Sequence, residues 1–189
     1  FNAAAAVVAV TGLGFSFTEV ANAASHLLPV DGRMQEVKGG SDIRVVVDYA
    51  HTPDALASAL SALKQSCTGA LWVVFGCGGD RDAGKRPEMG RIADSLADQL
   101  VVTNDNPRSE SPEMIAEDIL VGITGSACHV ELDRGAAIRH AVLNARSGDT
   151  VLVAGKGHEN YQLVGKNKLD FSDVSCAAEA LREREAAHD

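Results

Sequence analysis

Short apolar runs alternate with segments of helical composition along most of the chain. Three of these runs, at residues 45–47, 71–75 and 151–153, are apolar without interruption. Uninterrupted runs of this length are typical of strands that are buried on both faces of a sheet. Because helical segments lie between the strands, the pattern predicts βαβ units with right-handed crossovers. The predicted fold class is therefore α/β, with an open, mostly parallel sheet and helices on both faces.

Turn residues and helix caps set the boundaries of the predicted elements. Thr52 is the predicted N-cap of a helix whose first position is Pro53, where the missing N–H group is tolerated. Asp133 is predicted to cap a later helix in the same way. The predicted strands cover residues 44–48, 70–75, 99–103, 128–131 and 150–154, with a hairpin at 161–164 and 169–171. The predicted helices cover residues 53–65, 83–97, 112–123, 134–145 and 173 onward.

Residues 1–30 form a separate segment in this pattern. Residues 2–13 are small and apolar, and they are followed by a second predicted helix that runs to about Leu28, where Pro29 stops it. That helix begins with a capping-box signature, Ser16 followed three residues later by Glu19. The sequence starts with neither a Met nor the basic region of a signal peptide. We expect residues 1–30 to be the end of a preceding domain and residues 31–189 to be a second domain.

Composition and charge argue against several classes of protein. The chain is 46% hydrophobic and 23% charged, and its net charge of −9 disfavours binding to nucleic acid or to a membrane surface. No apolar run reaches the roughly 18 to 20 residues that span a bilayer. The four cysteines are scattered without a C-x-x-C pair, which favours a reducing, cytoplasmic environment. The six dispersed histidines show no zinc-site spacing.

Polar loops follow four of the predicted strands, at residues 48–52, 76–82, 105–108 and 155–159. A parallel sheet places the carboxyl ends of its strands on one edge, where ligands bind in folds of this class. In the third loop, Asp105 offers a partner for an ammonium group and Arg108 offers a planar fork for a carboxylate. This loop therefore predicts a pocket for a zwitterion. The alternative is that Asp105 caps a turn and that Arg108 is a solvated surface charge.

The glycine-rich loop at residues 76–82 begins like the dinucleotide-binding fingerprint G-x-G-x-x-G. It departs from that fingerprint because Arg81 occupies the third glycine position. Two interpretations remain open. The loop is either a flexible turn that needs glycine, or a set of closely approaching backbone N–H groups that presents Arg81 to a ligand.

Two further strand ends carry candidate binding groups. The loop at residues 155–159 is not a Walker A sequence, but Gly155 lets the backbone approach a ligand and Glu159 offers a carboxylate. Asp48, at the end of another strand, can accept hydrogen bonds from sugar hydroxyls. Nearby His51 either contacts a ligand or caps the next helix.

Taken together, these motifs resemble those of the Mur ligases of peptidoglycan synthesis. The matching segments are GRM (32–34), DYAHTP (48–53), FGCGGDRD (75–82), DNPR (105–108) and AGKGHE (154–159), in this order and over essentially the whole chain. The resemblance implies a C-terminal, Rossmann-like ligase domain that binds an amino acid, preceded by a helical stub of a central ATPase domain. It also implies that the P-loop and the Mg²⁺ ligands belong to a part of the protein that this sequence does not contain.

The resemblance implies an ATP-dependent and Mg²⁺-dependent amide synthesis. ATP phosphorylates the D-glutamate carboxylate of UDP-N-acetylmuramoyl-L-alanyl-D-glutamate, and the amino group of meso-diaminopimelate then attacks the acyl phosphate. On this interpretation the present chain is inactive alone. The alternative is a stand-alone amino-acid or nucleotide-binding module without catalysis, whereas the broken glycine fingerprint disfavours an oxidoreductase.

The same resemblance implies roles for individual residues. Arg33 would reach the ATP γ-phosphate when the domains close, and it is the catalytic candidate. Ala5 stands where the family has a second asparagine near the adenine. The implied residues for meso-diaminopimelate are Arg81, Asp105, Asn106, Arg108, Gly155 and Glu159, and those for ATP are Asn2, Arg33, Asp48 and His51. The resemblance assigns no metal ligand within this sequence.

Overall fold

The computed structural model describes residues 2–26, 30–39, 42–125 and 127–188. It divides the chain into two compact units, residues 1–30 and residues 31–189. The first unit contains helices α1 (Asn2–Gly12) and α2 (Phe17–Ser25). The capping box of α2 is confirmed, because the Glu19 N–H group donates to Ser16 Oγ at 3.2 Å. Helix α2 ends before its predicted limit near Leu28, and the predicted stop at Pro29 lies outside the described residues.

The second unit is built around a six-stranded sheet with a separate hairpin. The strands are β1 (Gln35–Glu36), β2 (Arg44–Asp48), β3 (Leu71–Phe75), β4 (Gln99–Val102), β5 (Cys128–Val130) and β6 (Thr150–Ala154), and the hairpin consists of β7 (Tyr161–Val164) and β8 (Asn167–Asp170). The helices are α3 (Pro53–Lys64), α4 (Lys85–Leu96), α5 (Pro112–Leu120), α6 (Arg134–Asn144) and α7 (Asp173–His188). The strand order is β1-β2-β6-β3-β4-β5. Strands β2 to β6 run parallel to one another, and only the edge strand β1 is antiparallel, to β2, among the described strands of this sheet. The predicted fold class is therefore confirmed.

Helices cover both faces of this sheet, which explains its uninterrupted apolar strands. Val46 belongs to a core that includes residues of α3, α4 and α5, whereas its neighbours Val45 and Val47 pack with residues of α6 and α7. All three valines are at most 1% exposed. Successive strand residues therefore need apolar side chains in both directions. None of the helices in the described part of the chain is long and apolar enough to cross a membrane.

The β7–β8 hairpin differs from its predicted bounds. Val164 pairs with Asn167, so the turn contains two residues and β8 begins earlier than predicted. Gly165 has a φ of 59°, a left-handed conformation that permits such a short turn. The hairpin is joined to the loop after β4, because the Arg108 N–H group donates to the Leu163 carbonyl oxygen at 3.0 Å.

Candidate functional site

A cavity of about 530 Å³ lies at the carboxyl ends of the parallel strands. Its walls come from the loops that follow β2, β3, β4 and β6, together with Lys85 of α4 and Tyr161 of β7. The parallel strand order thus brings together the four polar loops noted in the sequence. The lining residues are Tyr49, His51, Thr52, Gly76, Cys77, Gly78, Arg81, Asp82, Lys85, Asp105, Asn106, Arg108, Gly155, Glu159 and Tyr161.

The loop after β4 places Asp105 and Arg108 in the cavity wall. Asp105 is only 8% exposed, and Gln162 Nε2 donates to its main-chain carbonyl oxygen at 2.7 Å. Arg108 is half-buried, and its Nη1 donates to Gly79 O at 2.7 Å and to Asn106 O at 3.4 Å. The backbone of Arg108 has a left-handed φ of 52°, which is uncommon for a residue other than glycine. These contacts favour a guanidinium held in place over the alternative of a freely solvated surface charge.

The side chain of Lys156 is fully buried beside the cavity wall. Its Nζ donates to Asn106 Oδ1 at 3.0 Å and lies 3.5 Å from Glu159 Oε2. Asn106 Nδ2 donates to the same Glu159 oxygen at 3.2 Å, so the three side chains form one network. Burial lowers the pKa of Lys156, and the nearby Asp105 carboxylate acts in the opposite direction. This role of Lys156 is not predictable from the sequence, because a lysine between two glycines carries no local signal of burial.

Gly155 brings the loop after β6 into contact with Asp105. The glycine has a φ of 123°, which side-chain-bearing residues rarely adopt. A Cβ atom at this position would lie 2.7 Å from Asp105 Oδ2. Glycine is therefore needed for both the conformation of the loop and the close approach of the carboxylate.

The glycine-rich loop after β3 lies against the loop after β4. A Cβ atom at Gly76 would lie 2.1 Å from Thr103 O, and one at Gly79 would lie 1.9 Å from Pro107 O. The same loop places Arg81 in the cavity wall. Elements of both interpretations from the sequence therefore coexist: the glycines permit close contact between the two loops, and the loop presents an arginine.

The residues around Tyr49 include two of the implied nucleotide ligands. The guanidinium carbon of Arg33 lies 4.7 Å from the centre of the Tyr49 ring. His51 Nδ1 lies 2.8 Å from Tyr49 O, and both His51 and Tyr49 line the cavity. Helix α3 is capped by Thr52, whose Oγ1 accepts from the Ala55 N–H group at 3.3 Å. The alternative cap, His51, is therefore not needed, and its ring lies at the cavity wall instead.

Asp48 lies at the end of β2 beside this group of residues. It is 9% exposed, and its Oδ2 accepts from the Met34 N–H group at 2.7 Å. One carboxylate oxygen of Asp48 is therefore used within the fold. The side chain of Asn2, the fourth implied nucleotide ligand, lies outside the described residues.

Arg134, the first residue of α6, ties two of the cavity loops together. Its Nη1 donates to Asn104 O at 3.1 Å, and its Nη2 donates to Ala154 O at 3.0 Å. The guanidinium also forms a fully buried ion pair with Asp173, the first residue of α7. The arginine therefore holds the starts of the loops after β4 and β6. Arg134 was not predicted from the sequence, because its partners lie 20 to 39 residues away along the chain.

Charges of both signs surround the cavity. The positive side chains are Arg81, Lys85 and Arg108, and the negative ones are Asp82, Asp105 and Glu159. This composition suits a polar ligand that carries ammonium and carboxylate groups together. In the described part of the chain, no group of three or more His, Cys, Asp or Glu side chains is arranged to hold a metal ion.

A mostly parallel α/β sheet with a charged cavity at its strand ends defines a Rossmann-like ligand-binding domain. The chain belongs to the Mur ligase family, because the family model described as "Mur ligase, glutamate ligase domain" matches residues 32–157. The match includes the loops after β2, β3 and β4 and the first part of the loop after β6.

Individual relatives extend this likeness to nearly the whole chain. A Vibrio vulnificus protein named UDP-N-acetylmuramoyl-L-alanyl-D-glutamate–2,6-diaminopimelate ligase is 50% identical over 177 residues, which cover 93% of this chain and 36% of the relative. A Gloeobacter violaceus protein of the same name is 52% identical over 185 residues, which cover 97% of this chain and 38% of that relative. A solved structure of a ligase of that name is 42% identical, with a TM-score of 0.78, and the match covers 97% of this chain and 37% of that one. The chain thus spans a little over a third of the length of these relatives.

Proposed function

We propose that this chain is the acceptor-binding part of an ATP-dependent ligase that joins meso-diaminopimelate to UDP-N-acetylmuramoyl-L-alanyl-D-glutamate in peptidoglycan synthesis. The observation that carries the proposal is the cavity in which Asp105, Arg108 and Glu159 lie together. Relatives that are 50% and 52% identical bear the name of this ligase. The proposal thus combines the chemistry of the cavity with the likeness to these enzymes.

The distal end of meso-diaminopimelate matches the groups that line the cavity. It carries a carboxylate and an ammonium on one carbon, for which Arg108 offers a guanidinium and Asp105 and Glu159 offer carboxylates. Arg81 is assigned to the second carboxylate of meso-diaminopimelate. Asn106 is assigned to the distal amino and carboxylate groups, and the backbone of Gly155 is assigned to close contact with the same distal end. Lysine ends in an ammonium alone, so it would leave Arg108 without its anion. A charge-assisted hydrogen bond contributes about 1.5–3 kcal/mol. With the cost of the unpaired arginine added, we expect discrimination of about 100-fold to 10,000-fold in kcat/KM.

The proposed reaction forms an amide through an acyl phosphate. The γ-phosphoryl group of ATP passes to the side-chain carboxylate of the D-glutamate residue, and the proximal amine of the acceptor attacks the acyl carbon and displaces phosphate. The role of this chain is to hold the distal end of the acceptor, so that the amine is presented in one orientation. Arg33, held over the Tyr49 ring, is the proposed contact to the γ-phosphate.

The other proposed nucleotide contacts are Asp48, His51 and Asn2. Asp48 has one carboxylate oxygen bound by Met34, and the other is assigned to a ribose hydroxyl, with His51 nearby. Asn2 is assigned to the adenine. Most of the ATP site and the Mg²⁺ ligands would belong to the part of the relatives that this chain does not span. In this proposal residues 1–30 are the last helices of the central ATPase domain and residues 31–189 are the acceptor-binding domain, which is inactive alone.

Steady-state kinetics with the full-length ligase test this proposal. The enzyme should turn over meso-diaminopimelate and should reject L-lysine, because lysine lacks the distal carboxylate that pairs with Arg108. Comparable kcat/KM values for the two amino acids would contradict the proposed specificity. For the isolated chain, calorimetry should detect at most weak binding of meso-diaminopimelate. Tight ATP binding by the isolated chain would favour a stand-alone nucleotide-binding module instead.

A further inference from the structure

We propose that Lys156 is a positioning residue that orients Asn106 and Glu159 toward the distal ammonium group of the acceptor. The inference rests on the proposed function and extends it to a residue outside the cavity wall. Lys156 is fully buried, so it contacts the acceptor only through its neighbours. We therefore expect Lys156 to affect the preference of the site for one acceptor over another.

The amide of Asn106 is held in one orientation. Its Oδ1 accepts from Lys156 Nζ at 3.0 Å and from the Leu163 N–H group at 2.8 Å. Both partners can only donate, so a flipped amide would place its NH₂ group against two donors. With Oδ1 fixed in this way, Nδ2 faces Glu159 Oε2 at 3.2 Å. Lys156 and the Leu163 N–H group thus together turn the NH₂ end of the Asn106 amide toward Glu159, and Lys156 is the one of the two that also contacts Glu159.

The two oxygens of Glu159 have different surroundings as a result. Oε2 accepts from Asn106 Nδ2 and lies 3.5 Å from Lys156 Nζ. Oε1 has the hydroxyl of Tyr49 at 3.5 Å, which is a long and weak hydrogen bond. The carboxylate lines the cavity with 19% of its side chain exposed. Oε1 is therefore the oxygen that can accept a strong hydrogen bond from a ligand ammonium group.

Stability alone is a poor reason for a buried lysine at this place. Taking an ammonium group out of water is costly, and an apolar side chain of similar shape is often neutral or stabilising in its place. Lys156 nevertheless lies inside the domain, next to the acidic side chains Asp105 and Glu159 that the acceptor would meet. The carboxylates of Asp105 and Glu159 repel each other, and the positive charge of Lys156 offsets this repulsion while the cavity holds no ligand.

The test is a Lys156→Met variant of the full-length ligase. The acceptors are meso-diaminopimelate and 2-aminopimelate, which has the distal carboxylate but lacks the distal amino group. The unsubstituted enzyme should prefer meso-diaminopimelate, and Lys156→Met should reduce the ratio of the two kcat/KM values by about tenfold to a hundredfold, since one charge-assisted hydrogen bond becomes misaligned. The KM for ATP should stay unchanged. Lys166→Met, in the exposed turn of the β7–β8 hairpin, is the matched control and should keep the full preference.

A second variant protects the test against misfolding. Lys156→Leu also removes both the charge and the donor to Asn106 Oδ1 but fills the site with a different apolar shape, and it should show the same loss of preference if Lys156→Met does not fold. A folded variant that keeps the full preference for meso-diaminopimelate would overturn the role of Lys156. Failure of both variants to fold would overturn it as well, because the lysine would then be a requirement of the fold. No turnover of meso-diaminopimelate by the unsubstituted enzyme would instead contradict the proposed function.

Discussion

Arg134 and Asp173 form an ion pair in which neither side chain is exposed to solvent. Arg134 Nε lies 2.8 Å from Asp173 Oδ1, and Nη2 lies 2.8 Å from Oδ2. A buried cation that loses its partner is costly, because its charge remains without water and without a counter-charge. We expect Asp173→Ala to lower the free energy of unfolding by about 3–5 kcal/mol, as measured by urea denaturation.

The same two helices provide the control for that experiment. Arg139 of α6 pairs with Glu183 of α7, but both side chains are about half exposed. Exposed pairs contribute little because water and salt screen them. Glu183→Ala should therefore leave the denaturation midpoint unchanged. Equal losses of stability in the two variants would show that burial does not distinguish the two ion pairs.

Gly155→Ala should impair acceptor binding. The alanine Cβ would lie 2.7 Å from Asp105 Oδ2, and the φ of 123° is strained for alanine, so the Asp105 carboxylate must move. We expect a higher KM for meso-diaminopimelate in steady-state kinetics. Gly125→Ala, at an exposed position where the nearest atom to its Cβ position is Asp94 Oδ2 at 3.6 Å, is the control and should leave this KM unchanged. An unchanged KM in Gly155→Ala would show that the loop adapts without disturbing Asp105.

Arg108→Ala should raise the KM for meso-diaminopimelate far more than the KM for ATP. The arginine is held at the cavity wall by the carbonyl oxygens of Gly79 and Asn106, where it is proposed to bind the distal carboxylate. Loss of one charge-assisted interaction should raise the KM for meso-diaminopimelate about tenfold to a hundredfold. Arg182→Ala, on the exposed surface of α7, should change neither KM. An equal effect of Arg108→Ala on both substrates would contradict its assignment to the acceptor.

Cys77 should resist alkylation in the folded chain. It is 2% exposed, and burial raises the pKa of its thiol to about 12. The thiolate is the reactive form, so iodoacetamide at about pH 8.5 should modify the partly exposed Cys67 first, as followed by peptide mass spectrometry. Similar rates at both cysteines in the folded chain would contradict this prediction.

The same raised pKa has a consequence for stability at alkaline pH. The unfolded chain loses the Cys77 proton near its ordinary pKa of 9.0, whereas the folded chain retains it up to about pH 12. The free energy of unfolding should therefore fall as pH rises above about 9, because deprotonation favours the unfolded state. The free energy of unfolding of the Cys77→Ala variant should fall less steeply over this pH range, as measured by denaturation at several pH values. Parallel curves for the two proteins would exclude a contribution from Cys77.

Local sequence was enough to predict most helices and strands. Strands β2 and β6 have their predicted bounds, because an uninterrupted apolar run reports burial on both faces. The predicted caps Ser16, Thr52 and Asp133 are confirmed, since each accepts from the N–H group three residues further along the chain. Caps are predictable because donor and acceptor are close in sequence. The turn of the β7–β8 hairpin was predicted too long, because the left-handed conformation of Gly165 is not visible in the sequence.

The candidate site was predictable only in part. Polar loops after four parallel strands predicted that Asp105, Arg108 and Glu159 would lie at one edge of the sheet, because strand direction decides on which edge a loop lies. The residues that hold them could not be found in this way. Lys156 reaches Asn106 across 50 positions of the chain, and Arg134 reaches Asp173 across 39.

The sequence by itself determined the order of the elements, the α/β class and the edge of the sheet that carries the polar loops. These properties depend on periodicity, caps and chain direction, which are local. The tertiary structure alone decided which charges are buried and which atoms they contact. Lys156 and Arg134 became internal because distant segments close over them, and an Asp48 oxygen became engaged because Met34 folds back onto it. Burial and pairing are properties of the assembled neighbours, and no single stretch of sequence contains them.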